Sequence, residues 1–101
     1  MSFENVRIAL QNAMDDWGMM QKTVGDEGAD WAERFERDFY VFIEEFEKWF
    51  TLLDEKPKTI EEAEKVTEIQ EVQTKLPGPL QLNFEMELER IVDGKTDYWF
   101  D

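Results

Sequence analysis

The sequence predicts an all-α fold, a small bundle of three to four helices with a long, aromatic-rich helix at its centre. Apolar residues in the first half of the chain recur at spacings of three and four, the period of a helix with one buried face. Eight aromatic residues lie in the single segment 31–53, which indicates a core of unusual bulk. No convincing pair of β-strands is present in the pattern, and 101 residues suit one domain spanning 1–101.

The first helix is expected from about Phe3 to Val24, with Ser2 as its N-cap residue and Gly25 as its terminator. Its apolar positions follow the three-and-four spacing: Phe3, Val6, Leu10, Ala13, Trp17 and Met20. Gly18 lies inside this helix and weakens it by roughly 1 kcal/mol relative to alanine. The pattern is that of an amphipathic helix against a core.

The second helix is expected to begin near Asp26 or Asp30 and to run to about Asp54, with Pro57 as the stop. At the helical rise per residue its length is on the order of 40 Å. Nine apolar residues fall within an arc of roughly 120° on its helical wheel, the width of a face directed at a bundle interior. They are Trp31, Phe35, Phe39, Phe42, Ile43, Phe46, Trp49, Phe50 and Leu53. We interpret this aromatic stripe as core and not as a binding site.

Two further segments follow. Thr59 with Glu62 forms a capping box, which predicts a third helix to about Thr74, lightly packed and bent. The motif LPGP at 76–79 is an unambiguous break. Residues 80–92 alternate as a half-buried strand would, but their residue types, together with Gly94 as a C-terminal stop, favour a helix over a strand.

The acidity of the chain excludes several classes of function. Twenty-five acids and eleven bases give a formal net charge of −14, and the chain has no histidine and no cysteine. That balance argues against direct nucleic-acid binding and against anionic membrane surfaces. Without cysteine or histidine, thiolate chemistry and the usual general base are missing, so we expect no catalytic residue, no cofactor and no enzyme activity. With no signal peptide and no membrane span in the pattern, we place the protein in the cytoplasm.

Several apolar side chains have no obvious place in the predicted core and are candidates for a partner-binding surface. The candidates are Tyr40, Val41, Leu52, Met86, Tyr98, Trp99 and Phe100. If they are contiguous, they form a protein interface or a homodimer contact, because aromatic residues and methionine are enriched there. If they are scattered, they are ordinary surface residues.

An acidic stripe runs beside the aromatic stripe of the second helix. It consists of Glu33, Glu36, Glu44 and Glu47, with Tyr40 between the two pairs. Two Glu-x-x-Glu pairs on one helix are also what a magnesium-dependent, all-α nucleotide pyrophosphatase would use to hold its cation. The Glu-x-x-Asp partner motif of such enzymes is absent. We therefore interpret the acidic stripe as solvated helix surface and expect no metal site.

The leading functional hypothesis is a non-enzymatic acidic module for protein interaction or regulation. It would dock on a protein with a basic surface through exposed aromatics ringed by carboxylates. The first alternative is a nucleic-acid mimic that inhibits a DNA-binding protein, because residues 26–64 carry fourteen acids and five bases. The second alternative is the magnesium-dependent pyrophosphatase-like enzyme.

Overall fold

The computed structural model describes residues 3–94, and five α-helices lie in that range. They are α1 (Glu4–Lys22), α2 (Gly25–Thr51), α3 (Ile60–Ala63), α4 (Thr67–Lys75) and α5 (Gly78–Val92). No strand occurs in residues 3–94, so the all-α prediction is confirmed. The predicted count of three to four helices is too low for this range, because the expected third helix is two short ones.

The chain divides into two compact units, Met1–Trp49 and Phe50–Asp101. The division falls inside α2, which continues without a break from Gly25 to Thr51. The first unit therefore contains α1 and most of α2, and the second contains α3, α4 and α5. That the whole chain forms a single domain remains a prediction.

The first helix begins one residue later than the sequence suggests and ends two residues earlier. Phe3 occupies the N-cap position without a side-chain cap, and Ser2, the predicted cap, lies outside the described residues. At the other end the Thr23 hydroxyl donates to the Met19 carbonyl at 2.9 Å, and Thr23 itself is extended. Gly25 does not terminate α1. It opens α2 with a φ of +66°, a left-handed conformation that glycine adopts without strain.

The aromatic stripe of α2 is buried in its C-terminal part and half-buried elsewhere. The buried members are Phe42, Ile43, Phe46, Trp49 and Phe50, and the half-buried members are Trp31, Phe35, Phe39 and Leu53. None of the nine is exposed. The prediction that these side chains form the core therefore holds fully for five of them and in part for four.

Aromatic rings form a continuous series through the first unit. Along α2 the centroids of successive rings from Phe35 to Trp49 lie 5.5 to 6.4 Å apart, by way of Phe39, Phe42 and Phe46. Two contacts from the α1 side complete the series. Trp17 lies 5.4 Å from Phe35, and Phe3 lies 4.7 Å from Trp49 in an edge-on arrangement. Because the start of α1 meets the end of α2, the two helices pack antiparallel.

In the second unit Thr59 is the N-cap residue as predicted, and the reciprocal bond of the capping box is shifted by one residue, to Lys58. The Thr59 hydroxyl oxygen accepts from the Glu62 backbone N–H at 3.1 Å, and the Glu62 carboxylate accepts from the Lys58 N–H at 3.0 Å. The helix then stops at Ala63 and restarts at Thr67. In an unbroken helix Ala63 and Ile69 would lie roughly 120° apart around the axis. The break lets both be buried, together with Val72 and Leu76.

Residues 80–92 form the helix that the residue types favour. The buried residues of this helix are Leu80, Phe84, Leu88 and Ile91, whereas Leu82 and Met86 are exposed. The strand-like alternation arises because apolar residues occupy both the buried and the exposed side of the helix. The expected break at 76–79 is narrower than predicted. Its last two residues, Gly78 and Pro79, already belong to the first turn of α5. Backbone N–H groups in the first turn have no acceptor within the helix, so the N–H that proline lacks is not missed there.

Candidate functional site

An acidic cleft of about 450 Å³ lies in the first unit. Its lining is entirely charged and consists of Asp16, Asp30, Glu33, Arg34, Arg37 and Asp38. Asp16 comes from α1 and the other five come from α2. Four carboxylates against two guanidinium groups leave the cleft with an excess of negative charge, so a cation is the complementary ligand.

The periodicity of the two helices explains how these residues meet. On α1 the buried positions Ala9, Ala13 and Asp16 follow at spacings of four and three, so an acid occupies a position that faces the core. On α2 the cleft residues recur at spacings of three and four, from Asp30 through Arg34 to Arg37 and Asp38, along one side of that helix. The antiparallel packing of α1 on α2 then places Asp16 against this side.

Asp16 is the unusual group in the cleft. The residue is only 7% exposed, and its Oδ2 is buried with no hydrogen-bond donor among residues 3–94. Burial, with the Asp38 carboxyl within hydrogen-bonding reach and adding like charge, raises the pKa of Asp16 to about 6, and Asp15 adds to the increase. The positive charge of Arg34 lowers the pKa of Asp16, but this effect is smaller than those of burial and Asp38.

Asp16 and Asp38 lie close enough for their carboxyl groups to share a hydrogen bond, and this bond forms only when one of the two carboxyls is protonated. Two ionised carboxylates have no donor between them, so they repel each other. When one is protonated, its O–H donates to the other. Near pH 7 Asp16 is largely ionised, its charge is offset only in part by Arg34, and it lines a cleft that a ligand can enter.

Arg34 lines the cleft and offsets the negative charge of Asp16 only in part. Its guanidinium carbon lies 4.8 Å from the centroid of the Trp31 ring, in a cation–π arrangement one helical turn away on α2. Arg37, the other cleft arginine, is exposed. Neither guanidinium supplies a donor to the buried oxygen of Asp16.

The partner-binding candidates that fall in the described range are all exposed. In the first unit Tyr40 is 65% exposed, and Val41 beside it is exposed to a smaller extent. In the second unit Leu52 and Met86 are exposed, and Met86 lies one helical turn from exposed Leu82 on α5. Tyr98, Trp99 and Phe100 lie outside the described residues. Ile8 and Val24 are further exposed apolar residues that the sequence pattern did not identify.

The acidic stripe lies largely at the surface. Glu33, Glu36 and Glu44 are exposed and Glu47 is half-buried, while Glu33 also lines the acidic cleft. Over residues 3–94, no group of three or more acids is arranged to hold a metal ion. Nor is any helix of that range long and apolar enough to cross a membrane.

Asp16 and the acidic cleft were missed by the sequence analysis. The sequence did contain one signal for Asp16: it lies three residues after Ala13 and therefore on the same side of α1 as the apolar residues. The partners on α2 carried no comparable signal, since Asp30, Arg34 and Asp38 resemble any charged helix surface. Comparisons with protein-family models, with curated proteins and with solved structures find no match for this chain.

Proposed function

We propose that the protein is a non-enzymatic acidic module, acting in the cytoplasm, that binds a partner protein with a basic surface. The observation that carries this proposal is the Tyr40 face of α2, which consists of Tyr40, Val41, Glu36 and Glu44. Tyr40 is 65% exposed, and Glu36 and Glu44 lie one helical turn to either side of it. An exposed tyrosine framed by carboxylates has the composition of a binding hot spot with a charged rim.

The chemistry of this face argues for one kind of partner. The phenol ring supplies apolar area with little loss of side-chain entropy, and its hydroxyl group keeps a polar end for a hydrogen bond. The flanking carboxylates, within a chain of net charge −14, attract a positively charged surface and repel an acidic one. A partner with an apolar pocket surrounded by lysine and arginine is therefore complementary.

The second unit offers a separate apolar pair. Leu82 and Met86 are both exposed on α5, and their spacing of four residues puts them on the same side of that helix. We assign this pair a contact of its own with a protein, separate from the Tyr40 face. A second copy of this chain is the competing occupant of either surface, and its contribution is separated by measuring the mass of the isolated protein in solution.

A photo-cross-linking amino acid at position 40 tests the proposal. In cells that produce the protein, p-benzoylphenylalanine in place of Tyr40 is expected to form an adduct with a basic protein. The adduct should become much weaker when Glu36→Gln and Glu44→Gln are combined, because those changes remove the carboxylates beside Tyr40 without changing side-chain size. The same cross-linker at Gln21, an exposed position on α1, is the matched control.

Three outcomes would contradict the proposal. They are the absence of any adduct at position 40, the same adducts at position 21, and an adduct with a protein that lacks an excess of lysine and arginine. An adduct between two copies of this chain would replace the basic partner with a homodimer.

A nucleic-acid mimic is the narrower form of this proposal. The observation that favours it is the run of exposed acids along α2, which includes Glu33, Glu36 and Glu44 on a helix of 27 residues. If the cross-linked partner binds DNA, double-stranded DNA should displace this protein from it at low salt, because both ligands then occupy one basic groove. Failure of DNA to compete would leave the general interaction module and remove the mimic.

A further inference from the structure

The most costly feature of the first unit is the buried oxygen of Asp16. A buried carboxylate is normally paired with a cation or with several donors, because removing its charge from water is strongly unfavourable. Here Oδ2 has no hydrogen-bond partner among residues 3–94, the Asp38 carboxyl beside it adds like charge, and the positive charge of Arg34 offsets this only in part. A leucine at position 16 would continue the apolar side of α1 without this cost. The acid therefore needs an explanation outside the packing of the core.

The two cleft arginines do not provide that explanation. Arg34 and Arg37 are both exposed, and Arg34, which lies over the Trp31 ring, offsets the charge of Asp16 only in part, so the cleft keeps four carboxylates against two guanidinium groups. The missing complement is a positively charged hydrogen-bond donor that enters from outside. A divalent cation fits poorly, because no group of three or more acids in the described part of the chain is arranged around a common point.

We propose that the acidic cleft binds the guanidinium group of an arginine side chain on the partner protein. This inference rests on the proposed function and adds to it the group that anchors the partner. A guanidinium presents five N–H donors in one plane, so it is able to donate to Asp16 and to Asp38 at the same time. A cleft of about 450 Å³ has room for such a side chain.

Arginine is favoured over lysine by the geometry of the pair. The two carboxyls come from different helices, and a planar fork with two donor edges bridges them better than the single point charge of an ammonium group. Binding also reduces the repulsion between Asp16 and Asp38, because one positive charge then lies close to both carboxylates. Arg34 lies over the Trp31 ring and gives no hydrogen bond to the buried oxygen of Asp16.

The site has a proton linkage that serves as its signature. The ionised form of Asp16 binds the guanidinium, so a proton on the pair competes with the ligand. The charged groups that face Asp16 are Asp38 and Arg34 from α2 and Asp15 from its own helix, and Asp30, Glu33 and Arg37 complete the lining. Since the pKa of Asp16 is about 6, affinity is expected to fall about tenfold between pH 7.5 and pH 5.

The experiment is a titration of the full-length, isotopically labelled protein with blocked tripeptides, followed by backbone amide NMR. The probe is acetyl-Gly-Arg-Gly-amide. The matched peptides carry citrulline, which has the same shape without the charge, or lysine, and free L-arginine is a fourth ligand. The arginine peptide should shift the amides around Asp16 and along residues 30–38, more strongly than lysine and with no effect from citrulline.

Two protein variants with the same change of net charge make the test specific. Asp16→Asn should weaken the arginine peptide about tenfold and remove the dependence on pH, because a buried charged acceptor is lost. Asp15→Asn removes a charge from the exposed neighbouring residue and should change the affinity less than twofold. If Asp16→Asn is poorly folded by circular dichroism, Asp38→Asn takes its place: it should also weaken the arginine peptide, because one carboxylate of the pair is lost, but the dependence on pH should remain because Asp16 still titrates.

The inference is overturned if both variants weaken binding equally, if lysine binds as well as arginine, or if free L-arginine binds more tightly than the peptide. The last result would assign the cleft to a small molecule. None of these outcomes bears on the cross-linking at position 40, so a failed cleft and a failed docking face are distinguishable.

Discussion

Replacing Asp16 by asparagine should stabilise the protein at neutral pH. Asparagine has nearly the same shape, carries no charge and has an amide that is able to donate to the Asp38 carboxylate. A substitution at a buried position normally destabilises a protein, so the expected sign is unusual. It follows directly from the raised pKa of this carboxyl.

The magnitude and the pH window follow from that pKa. The folded protein binds the Asp16 proton more tightly than the unfolded chain does, so the contribution of Asp16 to stability falls as the pH rises from about 4 to about 6. The increase from 3.8 to about 6, at about 1.4 kcal/mol per pKa unit, corresponds to about 3 kcal/mol at pH 8. By the same relation about half of this difference remains at pH 5.

Urea unfolding monitored by far-ultraviolet circular dichroism at pH 5, 6, 7 and 8 measures the difference between variant and wild type. This range stays above the sequence pI of about 4.2, where the net charge is lost. Asp15→Asn is the control, since it makes the same charge change at an exposed site, and its effect should stay within about 0.5 kcal/mol at every pH. The reasoning is refuted if Asp16→Asn is less stable than wild type at pH 8, or if its advantage is the same at pH 5.

Three further predictions concern the fold and are measured by urea or thermal unfolding. Phe46→Ala should cost about 3–5 kcal/mol, because this ring is completely buried, whereas Tyr40→Ala should cost no more than about 0.5 kcal/mol; equal losses would contradict the assignment of core and surface. Gly18→Ala should stabilise by about 0.5–1 kcal/mol, since an added Cβ meets nothing within 4 Å, whereas Gly25→Ala should destabilise because of its φ of +66°. Thr59→Ala should cost about 1 kcal/mol, and no loss would show that the cap is dispensable.

Local signals predicted most of the helical structure. The capping box at Thr59 and the three-and-four spacing on α1 and α2 are set by contacts between near neighbours in sequence. Helix ends were less predictable. The second helix was expected to reach Asp54 but stops at Thr51, where the Leu53 N–H bonds to the Phe50 carbonyl and the Lys56 ammonium donates to the Leu53 carbonyl.

The third predicted helix was expected to bend, but its full break into α3 and α4 was not predicted, because no breaker residue marks it. Nothing in the local sequence from Glu64 to Val66 forbids a helix. Ala63 before the break and Ile69 after it are both buried, and the Glu64 carbonyl accepts from the Gln70 side-chain amide at 2.9 Å. Such compensation depends on tertiary packing, which propensity does not include.

Of the two candidate surfaces, one was predictable from the sequence and the other was not. Exposure of Tyr40 and Val41 followed from their place on the helical wheel of α2, which needs only the helix period. The acidic cleft required two helices to meet in one register, so no single segment could reveal it. Asp16 looked like one more acid among twenty-five until α1 packed on α2.

The ring series of the first unit gives the protein an optical signature of its tertiary order. Phe3, Trp17, Phe35 and the rings that follow them to Trp49 are 4.7 to 6.4 Å apart, close enough for their electronic transitions to couple when their orientations are fixed. Near-ultraviolet ellipticity should therefore vanish when these side chains lose their fixed arrangement, even while the backbone stays helical. In a state with intact helices and mobile aromatic side chains, the near-ultraviolet dichroism would be lost while the far-ultraviolet dichroism of the helices remained.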